Sequence, residues 1–232
     1  MHPTDKVARI AGAIYLSMVV TGSFSLMYVP GKLIVKGNAT ATASNVLAHQ
    51  TMFRISIAGN LIGTVIFVCL AVALYRLFRE VDRTQALLLV GLVLVSAAVA
   101  FINELNNIAA LILFRGGDFL TVYNKDQLDA LGMLFVRLHG QGNVINEIFW
   151  GLWLFPFGVL VYESRFLPRI LGAWLIINCF AYVIISLTGM LLPQYAGTVF
   201  NYSFPALLGE MAIMLWLLIK GVKVEALPAQ AL

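Results

Sequence analysis

Six apolar runs, at roughly 8 to 29, 54 to 77, 85 to 114, 142 to 162, 167 to 192 and 202 to 220, make up most of this 232-residue chain. Each is close to the 20 or so residues a helix needs to cross the hydrocarbon of a bilayer. Lipid offers the backbone no hydrogen-bond partners, so a lone apolar segment at that depth satisfies its own polar groups by coiling into a helix. The alternating short repeat of a transmembrane barrel is absent. The predicted fold is an all-α membrane protein: a six-transmembrane-helix bundle with amphipathic outer segments, in a single integral membrane domain over 1–232.

Composition agrees. Hydrophobic residues are 61% of the chain and charged residues 11%, against roughly one half and one quarter in soluble domains. Little chain is left for a separate soluble domain. The formal charge of +4 does not imply a nucleic-acid partner, because the basic residues flank span ends, where they orient a protein in the bilayer. Cys69 and Cys179 lie inside apolar runs and read as small hydrophobes rather than a disulfide. Lys6 and Arg9 precede an apolar stretch over 10–29 that is too long for a signal peptide and reads as an uncleaved first span.

Orientation follows from the same basic residues. Lys6, Arg9, Arg76, Arg79, Arg83, Arg165, Arg169, Lys220 and Lys223 fall on one side, and Lys32, Lys36, Arg54, Arg115, Lys125 and Arg137 on the other. The larger set predicts both termini in the cytoplasm. The outward connections look structured. Residues 30–53 read as a segment lying along the membrane surface, and 127–138 as an amphipathic piece with Leu128, Leu131, Leu134, Phe135 and Leu138 at helical spacing. Gly140 and Gly142 suggest a kink into the fourth span.

Glu104, Glu147 and Glu210 interrupt otherwise apolar runs. A carboxylate at that depth loses its hydration and persists only with a partner, a proton, an ion or a wet cavity, so the three glutamates are the default functional hypothesis. At 1.5 Å per residue, Glu104 lies roughly 15 Å below the outer end of its helix and the other two roughly 10 Å. The same outer layer should hold Arg54, Asn60, Asn103, Asn106 and Asn107, with Asn178 near the middle of the fifth span. His139, Asn143, Asn146, Glu147 and Trp150 recur at offsets of three, four and seven and share one helix face. The candidate ligand pocket is therefore Arg54, Asn60, Asn103, Glu104, Asn107, His139, Asn143, Asn146, Glu147, Trp150, Asn178 and Glu210, open outward above an apolar floor. Three carboxylates against at most Arg54, Arg137 and one histidine leave that layer short of positive charge, so a proton or cation is expected to complete it.

Each signal has a plainer counterpart. Intramembrane glutamates also join helices through hydrogen bonds, and Arg54 can anchor its helix at the headgroups. His139, Glu147, Glu104 and Glu210 are weak metal candidates, since no HExxH or paired-histidine spacing supports them. Ser96, Ser186, Thr188 and Ser203 have no nucleophile elbow around them. Gly59 and Gly63 form the small-residue spacing of close helix contact.

Several stretches resemble the bacterial domain-of-unknown-function family 4386. They are Arg9-Ile10-Ala11-Gly12-Ala13-Ile14-Tyr15-Leu16, Lys32-Leu33-Ile34-Val35 leading to Ala39-Thr40-Ala41-Thr42-Ala43, Phe166-Leu167-Pro168-Arg169-Ile170-Leu171-Gly172, Leu191-Leu192-Pro193-Gln194-Tyr195, and Gly209-Glu210 followed by Leu215-Trp216-Leu217-Leu218. The resemblance implies a single-domain, multi-helix membrane protein of bacteria or archaea. It implies no activity, cofactor or catalytic residue. The leading expectation is binding, and transport or sensing if the pocket can open inward, of a small polar ligand, cation or metal ion. The alternatives are an intramembrane metal-assisted hydrolase or lipid-modifying enzyme, with a glutamate as base and His139 as ligand or acid, and an accessory or scaffold subunit. Beyond the lipid bilayer the sequence specifies no partner or oligomeric state.

Overall fold

The computed structural model describes residues 3–222. Among them are seven helices: α1 (Thr4–Leu33), α2 (Ala39–Ala48), α3 (Gln50–Phe78), α4 (Arg83–Arg115), α5 (Lys125–Glu163), α6 (Arg169–Leu191) and α7 (Pro193–Lys220). All but α2 are long and apolar enough to cross a membrane. No strand is present among the described residues. The protein is an all-α, multi-pass membrane protein.

Prolines shape these helices. Pro30 lacks an N–H and its ring crowds the carbonyl four residues earlier, and the turn before it, Ser23–Tyr28, is widened to a π-turn. Pro156 does the same to the carbonyl of Leu152, and α5 is interrupted there, between Lys125–Leu152 and Leu154–Glu163. The helix runs unbroken through Gly140 and Gly142, the positions where a kink is expected. Gly142 has another reason to lack a side chain: a Cβ there would collide with the Asn103 carboxamide.

The described helices divide into two compact units. One gathers the residues up to Ser17, Ile66–Ala97 and those from Val144 onward; the other gathers Met18–Val65 and Ala98–Asn143. In the first, Trp153 stacks on Phe157 at 5.4 Å and meets the edge of Phe67 at 5.1 Å. Backbones there approach without intervening side chains: a Cβ on Gly158 would lie 2.7 Å from the Gly172 carbonyl, and one on Gly172 would lie 2.6 Å from the Gly158 carbonyl. Asp5 and Arg9 tie α1 to the end of α7, Arg9 donating to the Ile219 carbonyl (2.9 Å) and Asp5 accepting from the Val222 N–H (3.1 Å).

The second unit packs Val29, Leu33, Ala43, Val46, Phe53, Ala110, Phe114, Met133 and Val136 into one buried cluster. Helix α2 begins at Asn38, whose side chain accepts from the Ala41 N–H (2.9 Å), and buries Ala43 and Val46. Gly59 and Gly63 form the close contact their spacing predicts, against Ser25 and Thr21 of α1. The amphipathic reading of 127–138 found the helix but only part of its buried face. Leu128, Met133 and Val136 are buried, whereas Leu134 and Leu138 are exposed. On a membrane protein the most apolar stripe can face lipid, so apolar periodicity alone does not mark the core.

Candidate functional site

The central element of the second unit is Glu104, only 4% exposed. Helical spacing on α4 places Asn107 one turn away on the same face, while Ile102 and Leu105 stay exposed. Three nitrogen donors converge on the carboxylate. Asn60 Nδ2 donates to Oε1 (2.8 Å), Asn107 Nδ2 donates to Oε2 (3.0 Å), and His139 Nε2 lies 2.9 Å from Oε1. A carboxylate can only accept, so His139 serves it as an Nε2–H donor.

A second layer fixes His139. Asn103 Nδ2 donates to the His139 carbonyl (2.9 Å) and to Asn143 Oδ1 (3.0 Å), and its own oxygen accepts from Asn106 Nδ2 (3.1 Å). Asn60, Asn103, Glu104, Asn107, His139 and Asn143 thus form one network joining α3, α4 and α5. Next to it lies a cavity of about 140 Å³ whose polar lining is Ser25, Ser56, Asn107, His139 and Asn143. Glu104 is absent from the lining and acts on it through His139 and Asn107. Ser56 donates to the Phe53 carbonyl (2.8 Å), but Ser25 Oγ is buried with no hydrogen-bond partner.

Glu210 and Glu147 belong to the first unit. Tyr15 Oη donates to Glu210 Oε1, and Tyr182 and Asn178, one turn apart on α6, stand beside the same carboxylate. Asn178 is fully buried there, yet its amide makes no hydrogen bond of good geometry. Glu147 lies within electrostatic reach of Tyr182. Asn146 Oδ1 accepts from Ser96 Oγ (3.0 Å). Trp150 is partly buried in the same unit.

The structure therefore divides the three glutamates between the two units. Arg54 joins neither carboxylate set. With its carboxamide oxygen turned toward the guanidinium, Gln50 accepts from Arg54 Nε (3.2 Å) and Nη2 (3.1 Å), and Arg54 borders a separate groove with Arg115. Of the four weak metal candidates His139 and Glu104 meet, and among the described residues no three His, Cys, Asp or Glu form a group able to hold a metal ion.

Sequence reading missed Ser25, Tyr15 and Tyr182. A tyrosine within an apolar run carries a recoverable signal, because a buried phenol needs an acceptor and the nearby spans offer few besides glutamates. Ser25 offered none, since a membrane serine ordinarily bonds its own helix, as Ser17 does to the Ile14 carbonyl (2.7 Å).

The family model described as "Domain of unknown function (DUF4386)" matches residues 10–221. The chain belongs to the DUF4386 family. An uncharacterised protein of Archaeoglobus fulgidus is 31% identical over 170 residues, which is 73% of this chain and 86% of that one. No solved structure matches. The DUF4386 match takes in both carboxylate sets, with Glu104 and His139 in one and Tyr15, Tyr182 and Glu210 in the other.

Proposed function

We propose that this DUF4386 protein binds a small neutral or cationic polar ligand in the cavity bounded by Ser25, Asn107, His139 and Asn143. The observation that carries the reading is Ser25, a lining residue only 2% exposed whose buried hydroxyl lacks a hydrogen-bond partner. Leaving a buried hydroxyl unpaired costs about 1–3 kcal/mol, which a ligand with one donor or acceptor recovers. The volume suits about four or five water-sized groups. The lining contains no lysine or arginine, and the one carboxylate in contact with it is Glu104, so the electrostatics disfavour an anion. A small amine or amide fits that description.

Purified protein in detergent is the material for the test. Methylammonium and acetamide at millimolar concentration are expected to raise the melting temperature, as a ligand selective for the folded state must, and acetate is not. Ser25→Ala, which removes the unpaired hydroxyl without leaving a large hole, is expected to fold normally and lose the response. Equal shifts in wild type and Ser25→Ala would remove the basis for the site.

A structural role is the second reading, favoured by the saturation of Glu104 with three protein donors. It predicts a normal fold and no ligand response in either protein. The reading includes both termini in the cytoplasm of a bacterial inner membrane, supported by the nine-to-six division of basic residues. In a background with Cys69 and Cys179 replaced by alanine, an impermeant maleimide is expected to label Thr121→Cys and spare Glu80→Cys in intact cells. The opposite pattern reverses the orientation.

A further inference from the structure

We propose that the groove bordered by Arg54 and Arg115 is a binding site for one anionic phospholipid, its phosphate held by the two guanidiniums and one acyl chain lying on Ile57, Leu61, Ile108 and Leu111. The groove has a volume of about 320 Å³ and lies within the second unit, between α3 and α4. Arg54 and the deepest α3 lining residue, Leu61, are seven positions apart, as are Arg115 and Ile108 on α4. Seven residues of helix rise about 10 Å, so both arginines sit at the same end of an apolar trough and at the same depth. That is the layout of a lipid: charge at one end and hydrocarbon below it.

Electrostatics point the same way. Among the described residues, neither Arg54 nor Arg115 has a carboxylate within salt-bridge distance, the ion pairs being Asp5–Arg9, Arg79–Glu80 and Lys125–Asp129, while Glu104 faces His139. Two like charges at the rim of an apolar trough repel each other, and an anion between them turns that repulsion into attraction. Guanidinium groups bind phosphate oxygens through paired N–H donors, and Gln50, with its carboxamide oxygen turned toward the guanidinium, braces Arg54. A zwitterionic headgroup supplies the same phosphate but brings a cation into the same field, so the site favours lipids with net negative charge. This site shares no residue with the cavity beside His139, so the two readings stand or fall separately.

Native mass spectrometry of the full chain released from detergent, with phosphatidylglycerol, phosphatidylcholine or glycerol 3-phosphate added, tests it. Wild type is expected to retain one phosphatidylglycerol at least tenfold more tightly than phosphatidylcholine. The double variant Arg54→Gln/Arg115→Gln is expected to lose that preference. Ala58→Trp, which fills the groove and leaves both charges, is expected to lose the bound lipid. Unchanged phosphatidylglycerol binding in either variant would overturn the proposal. So would an equal loss in an Arg79→Gln/Arg83→Gln control, which would show a general charge effect, or full displacement by glycerol 3-phosphate, which would show that the acyl seat contributes nothing.

Discussion

In one unit a glutamate is surrounded by nitrogen donors beside a cavity; in the other a glutamate is set against tyrosine, next to a tightly packed aromatic layer. Glu104 gathers Asn60 from α3, Asn107 from its own helix and His139 from α5. Glu210 takes hydrogen bonds from Tyr182 and from Tyr15, whose ring leans on Trp153 at 6.0 Å. The difference concerns what each carboxylate organises. Around Glu104 the donors also line a space, so the charge orients groups that a ligand can reach. Around Glu210 the Tyr15 donor belongs to the packing core, so the carboxyl group fastens α1 to α7.

The comparison breaks first at the carboxylates themselves. Glu104→Leu strands three buried or half-buried donors at once. At about 1 kcal/mol or more for each unsatisfied group, the loss should reach about 3 kcal/mol, measured as reversible unfolding in detergent. Glu210→Leu leaves the Tyr15 and Tyr182 hydroxyls without their carboxyl acceptor and, at the same rate per group, should cost about 2 kcal/mol. Equal losses would erase the distinction. The next effect is steric. Gly142→Ala drives a methyl into the Asn103 carboxamide, which holds the His139 carbonyl and Asn143. Such overpacking costs about 2 kcal/mol, and the methylammonium response should fall with it, whereas Gly158→Ala in the other unit should destabilise and leave that response intact.

These particulars separate what the sequence could show from what it could not. Six spans were legible because bilayer thickness sets their length and charge their ends, and Glu104, His139 and the asparagines stood out because each is costly in lipid. Their sorting was not legible. His139 and Glu147 share a helix face by spacing, yet His139 and Asn143 work with Glu104 while Glu147 stands near Tyr182, because α5 contributes to both units. Periodicity reports a face along one helix and carries no information about which neighbour meets it at each turn. The buried side of 127–138 was partly lost for a related reason: Leu134 and Leu138, two of its apolar positions, are exposed. Gly140 and Gly142 looked alike as kink positions, and only the position of Asn103 tells them apart.

Smaller effects sharpen the comparison. Tyr15→Phe removes one hydroxyl and keeps the ring against Trp153, so the loss should be about 1 kcal/mol, with no change in methylammonium response. A lost response would place Tyr15 in the binding reading and undo the contrast between the two units.

The smallest expected change has the opposite sign. Gly140 lies two residues from Gly142 on the same unbroken helix, but a Cβ at Gly140 meets nothing within 4 Å. Glycine within a helix is disfavoured by up to about 1 kcal/mol relative to alanine, so Gly140→Ala should raise the melting temperature slightly where Gly142→Ala lowers it. Because Gly140 also borders the cavity, the added methyl tests the volume available there. A stabilised protein that still responds to methylammonium means the ligand sits toward Ser25 and Asn107, whereas a stabilised protein that no longer responds places the ligand against α5. A destabilised Gly140→Ala would mean that this glycine, like its neighbour, is held to a close approach, and the contrast drawn between the two would fail.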